Sequence, residues 1–187
     1  MILYLHGFRS APASHKAQRL RAVMAARGIG DSFECPQLPA SPRAAIALAE
    51  GIIAAAPGPV TLIGSSLGGC YAAHLGEKHR LKAVLVNPAV VAHLSLADYV
   101  GPQTHLFTGE SFEFTAAHIA ELKALESPRP VEPWRYWLMV ETGDEVLDYR
   151  QAVKKYAGAR QTVLAGGDHG FSRWEDYLDD ILEFAGL

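Results

Sequence analysis

Residues 60–69 read Val60-Thr61-Leu62-Ile63-Gly64-Ser65-Ser66-Leu67-Gly68-Gly69, an apolar run that passes straight into a G-x-S-x-G turn. The β-branched and aliphatic residues before Gly64 predict a buried strand. Leu67 to Lys78 predicts a helix. Strand, sharp turn and helix together form a nucleophile elbow, which lifts one serine above the end of a sheet. The lifted serine is Ser66, the middle of the pentapeptide, and Ser65 is a bystander.

A serine hydroxyl is a weak nucleophile and needs a base, itself oriented by an acid. In elbow-bearing folds these follow the serine in the order acid, then histidine. Apolar strands are expected at Leu81–Val86, Tyr136–Glu141 and Gln161–Leu164. The second runs into Thr142-Gly143-Asp144, and the third into Gly166-Gly167-Asp168-His169-Gly170. Asp144 and His169 thus fall just past the carboxyl ends of successive strands, where open α/β sheets bind ligands. Asp148 and Asp168 are the rival acids. Asp148 is placed to begin a helix, and Asp168 is the sequence neighbour of the base.

A reaction at an ester carbonyl also needs donors for the oxyanion. One is expected from the backbone N–H of Leu67, at the positive end of its helix. The second is expected from Phe8, in the His6-Gly7-Phe8 loop after the strand Ile2–Leu5. His6 is read as structural, a brace for that loop.

The chain has 187 residues, 49% hydrophobic and 20% charged, with a net charge of −3. That length fits one domain with a sizeable core. The charge balance, without a basic run, argues against a nucleic-acid partner. No stretch approaches the apolar length of a membrane span. Cys35 and Cys70 offer no disulfide framework, which points to a reducing cytoplasm, and Cys70 is read as packing rather than a second nucleophile. No Cys/His spacing suggests a metal and no phosphate loop is present, so no cofactor is expected.

Strand and helix signals alternate, predicting an α/β fold, a compact, mostly parallel sheet with helices on both faces. Helices are expected at about 15–27, 42–56, 67–78, 115–125, 148–157 and 172–185. Ser14 is positioned to cap the first, and Ser172 with Glu175 to form a capping box on the last. The exception to alternation is about 90–133, read as a small cap insertion carrying a hairpin of His105–Thr108 against Ser111–Phe114. Phe107, Phe112 and Phe114 are its candidate acyl-pocket residues; anchoring the loop to the core is the other reading.

The motifs LYLHGF, PQLP, GSSLGG, VNPAV, TGDEVLDYRQAV and GGDHGF together resemble the YqiA-type esterases, small α/β-fold hydrolases. The resemblance runs nearly end to end. It implies a single-domain hydrolase of carboxylic esters, extending to acyl-CoA thioesters, with Ser66 as nucleophile, Asp144 as acid and His169 as base. Asp168 departs from the amide-bearing residue expected there and sets a second carboxylate beside the base. Two other functions stay open: an acyltransferase or thioesterase with the same triad, and a non-catalytic binding protein on the same fold.

Overall fold

The computed structural model describes all residues, 1–187. Six strands form one sheet: β1 (Ile2–Leu5), β2 (Phe33–Glu34), β3 (Thr61–Ser65), β4 (Lys82–Val86), β7 (Tyr136–Glu141) and β8 (Arg160–Leu164). Their order is β2-β1-β3-β4-β7-β8, and every pairing is parallel. Parallel strands covered on both faces should be apolar throughout. Accordingly β1, β3 and β7 are buried at every position.

Side-chain alternation divides the core into two layers. Leu3, Leu5, Leu62, Leu85 and Leu138 face α2 (Pro42–Ala55), α3 (Leu67–His79) and α6 (Tyr149–Lys155). Ile2, Tyr4, Ile63, Val84 and Met139 face α1 (His15–Ala26) and α7 (Leu178–Ala185). The sheet therefore has helices on both faces, as the alternating signals predict.

From β1 the chain steps outward to β2 and then returns across β1 to β3. The winding reverses between β1 and β3, and a crevice opens there at the carboxyl ends of the strands. The loop after β1 and the elbow after β3 flank that crevice.

Residues between β4 and β7 form α4 (Ala92–Ser95), an antiparallel hairpin of β5 (Gly101–Thr104) with β6 (Ser111–Phe114), and α5 (Ala116–Ala124). The first hairpin strand is 101–104 rather than the expected 105–108. Residues 105–110 instead form the connection: His105 N–H donates to Glu110 O and Gly109 N–H to His105 O within it, while Leu106 N–H donates to Arg9 O. The last helix also differs from expectation. Ser172 gives its N–H and hydroxyl to Glu141 instead of capping, and a 3₁₀ turn at Trp174–Tyr177 precedes α7.

Candidate active site

Ser66 sits between β3 and α3 with φ 55° and ψ −119°. This is a sparsely populated conformation for a residue with a Cβ, and it costs about 1–3 kcal/mol. Surrounding bonds hold it: Ser66 N–H donates to Val86 O, and Ser66 O accepts from Gly69 and Ala89. Glycine is required at position 68, where a Cβ would lie 1.9 Å from Leu5 O, so α3 starts directly against the end of β1. A Cβ at Gly7 would lie 3.3 Å from Ser66 Cβ, which brings the loop after β1 alongside the serine.

His169 Nε2 is 2.9 Å from Ser66 Oγ, and His169 Nδ1 is 2.8 Å from Asp144 Oδ2. The other carboxylate oxygen of Asp144 accepts the N–H groups of Val146 and Leu147, each at 2.8 Å. Burial raises the Asp144 pKa, but the His169 bond and those two amides outweigh it and hold the carboxyl below its ordinary value. An ionised Asp144 keeps the proton of neutral His169 on Nδ1, leaving Nε2 as a lone-pair acceptor toward Ser66. The structure thus brings Ser66, His169 and Asp144 into one hydrogen-bonded chain.

The rival acids lie outside that chain. Asp148 caps α6, its Oδ1 accepting from Arg150 N–H at 3.1 Å. Asp168 is exposed, and its peptide group is held by Asn87 and Glu141. Burial pushes the Cys70 thiol up to about 11, which keeps it protonated near neutral pH.

The backbone N–H groups of Leu67 and Phe8 make no hydrogen bond within the protein. The Gly7-Phe8 loop is braced on two sides. His6 Nε2 accepts from Leu38 N–H at 3.1 Å, so Nδ1 donates to Gly7 O at 3.0 Å; burial lowers the His6 pKa and favours that neutral state. On the other side the Phe8 ring packs edge-on against Tyr99, Phe112 and Phe114, with centroids 5.6, 6.0 and 4.9 Å away.

A cavity of about 520 Å³ opens beside Ser66 and His169, walled in part by Phe8, Leu106, Phe107 and Trp174. Of the three candidate pocket phenylalanines only Phe107 reaches it. Phe112 packs on Phe8 and His105, and Phe114 is fully buried. Phe112 and Phe114 alternate with exposed positions on β6, so both point inward to the Phe8 cluster. The insertion is joined to the loop after β1 by two bonds, Arg9 Nε to Thr104 O at 2.9 Å and Leu106 N–H to Arg9 O at 2.8 Å.

Sequence reading missed Glu141 and Asn87. Glu141 ends β7 with a side chain at 0% exposure. Its carboxylate accepts from the N–H groups of Asp168, Ser172 and Arg173, the Ser172 hydroxyl and the Arg173 guanidinium. Burial raises its pKa, yet those donors prevail and hold it below the ordinary value. Asn87 Nδ2 donates to the carbonyls of Asp168 and His169, each at 3.0 Å, while its Oδ1 accepts Glu141 N–H. The two side chains bind the His169 loop from beneath. Glu141 is a lone acid at a strand end, and Asn87, although within VNPAV, carries no local sign of the distant loop it binds.

No three His, Cys, Asp or Glu side chains gather as a metal-ligand group, and no helix is long and apolar enough to cross a membrane.

Several solved structures share this architecture at low identity. Mouse alpha/beta hydrolase domain-containing protein 10 is 18% identical with a TM-score of 0.73, over 97% of this chain and 89% of that one. The monoacylglycerol lipase of Paleococcus ferrophilus is 14% identical with a TM-score of 0.72, over 98% and 93%. Est1E from Butyrivibrio proteoclasticus is 13% identical with a TM-score of 0.66, over 98% and 85%. The fold is therefore that of the α/β hydrolases. A family profile described as uncharacterised protein family UPF0227 matches residues 1–186, nearly the whole chain that builds the sheet, elbow and histidine loop. The protein belongs to UPF0227, the YqiA-type family indicated by its motifs.

Proposed function

We propose that the protein is a serine hydrolase of carboxylic esters, working through an acyl-enzyme on Ser66. The observation that carries this reading is the chain Ser66–His169–Asp144, with both bonds under 3 Å and two unpaired backbone N–H groups beside it. His169 Nε2 takes the Ser66 proton as Oγ attacks the ester carbonyl, and ionised Asp144 stabilises the imidazolium that forms. The carbonyl oxygen becomes an oxyanion and accepts from Leu67 N–H and Phe8 N–H. His169 then gives its proton to the departing alcohol as the tetrahedral centre collapses. Water, activated by the same imidazole, releases the acid and restores Ser66.

In this reading one domain spans 1–187, and residues 90–133 act as a fixed cap that steadies the Phe8 loop. Phe107 lines the substrate cleft. Acyl-CoA thioesters are a second substrate class for the same chemistry, because only the leaving group changes.

The test combines a fluorophosphonate probe with hydrolysis of p-nitrophenyl esters and acyl-CoAs by wild type and Ser66→Ala. Labelling and turnover that both vanish in Ser66→Ala are expected. A folded wild type that neither labels nor hydrolyses any of these esters would overturn the proposal in favour of a binding role.

A further inference from the structure

Ligand clefts are usually lined mainly by apolar side chains, with a few polar groups to orient the ligand. The cleft beside Ser66 follows this pattern, with an apolar wall of Phe8, Leu106, Phe107, Phe171 and Trp174 and its polar groups gathered at particular points. Ser14, His15 and Lys16, at the start of α1, form part of its wall.

Two features of that segment have the same electrostatic sign. Lys16 Nζ makes one hydrogen bond, to Gly170 O at 2.6 Å, and has no carboxylate within 4 Å. The first turn of α1 contains no acidic residue, and the Ser14 side chain does not cap it. Its N–H groups therefore present the positive end of a twelve-residue helix. Ser14 Oγ is buried without a hydrogen-bond partner. An ammonium with a single carbonyl acceptor beside an uncapped helix start lacks a negative partner. Consistently, burial lowers the Lys16 pKa to about 8 despite the opposing pull of Asp168 and Glu141.

The other charged groups at the cleft do not fill that role. His15 Nε2 pairs with Glu175 at 3.4 Å. Asp168 is exposed, and Glu141 is occupied by the loop that carries His169. Lys16 holds the residue next to His169, so a group bound at its ammonium lies along the same wall as the reactive serine.

We propose that the cleft selects esters bearing a carboxylate, which pairs with the Lys16 ammonium at the positive end of α1. The inference rests on the serine-hydrolase reading and specifies its substrate class. A neutral ester would leave the Lys16 ammonium without a negative partner.

The experiment compares esters matched in size. Monoethyl adipate against ethyl hexanoate tests a charge on the acyl part, and the butyryl ester of glycolate against propyl butyrate tests one on the alcohol part. The quantity read is the ratio of kcat/KM, charged over neutral, which cancels any loss caused by disturbing His169. Wild type is expected to favour the charged ester in at least one pair by about tenfold, the worth of one charge-assisted hydrogen bond. Lys16→Met should bring that ratio down toward one, Lys16→Arg should retain most of it, and Asp168→Asn should raise it. A wild-type ratio at or below one in both pairs overturns the inference, as does a preference unchanged in Lys16→Met. Fluorophosphonate labelling of Ser66 in the same samples separates the two levels. Labelling with no charge preference defeats the subsite alone, whereas a folded protein that neither labels nor turns over any ester defeats the hydrolase reading and the subsite together.

Discussion

His169 Nε2 lies 2.9 Å from Ser66 Oγ, across 103 positions of sequence. The serine comes from the elbow after β3 and the histidine from the loop after β8, at the far edge of the sheet. That loop must cross over β7 and β4 to reach the crevice, and Glu141 and Asn87, at the ends of those two strands, hold it in place.

The elbow stores strain that a variant can release. Ser66→Gly removes the Cβ from a residue at φ 55°, so it should be more stable than Ser66→Ala by about 1 kcal/mol, or roughly 2–4 °C in Tm. Both variants should be inactive. Equal melting temperatures would show that the serine is not strained.

Asp144→Asn keeps the shape of the site but removes the charge facing imidazolium, and should lower kcat by about ten-thousandfold. Asp148→Ala should instead leave kcat near wild type and cost about 1 kcal/mol of stability by uncapping α6. Esterase rates and denaturant melts of the two variants distinguish the acid from the cap.

The Phe8 ring sets the position of its own N–H through Tyr99, Phe112 and Phe114. Phe8→Ala should reduce kcat by up to about a hundredfold, the effect of displacing a transition-state donor by an ångström. Phe8→Tyr should recover most of the loss. Similar rates for Phe8→Ala and wild type would show that the ring does not position the N–H.

Glu141→Gln should destabilise the protein by roughly 2–3 kcal/mol at pH 7, the scale of hydrogen bonds to a charged acceptor. The Glu141 pKa is depressed in the folded state, so its contribution is complete above the unfolded value of about 4.5 and is lost as pH falls through the folded value. The gap between wild type and Glu141→Gln should therefore narrow in urea melts below about pH 4.5. A gap constant from pH 7 to pH 3 would contradict an ionised Glu141.

Gly68→Ala would force a Cβ to within 1.9 Å of Leu5 O, between two backbone segments with no flexible neighbour to yield. A loss of at least about 3 kcal/mol, or failure to fold, is expected. A soluble Gly68→Ala with wild-type stability would mean that α3 and β1 can separate.

The strands and the elbow are legible in the sequence, because each is local. Apolar runs of strand length and a G-x-S-x-G turn reflect requirements met within a few residues of each other. Ser66, Asp144 and His169 were legible for the same reason, each standing just past a recognisable strand. Packing settles which aromatic rings reach the cleft: Phe112 and Phe114 share the inward face of β6, whereas Phe107 lies in the loop joining β5 to β6. The tertiary structure alone disclosed the roles of Glu141, Asn87 and Lys16. Their bonds to the His169 loop arise from packing between distant strand ends and α1, and no sequence neighbour records such a contact.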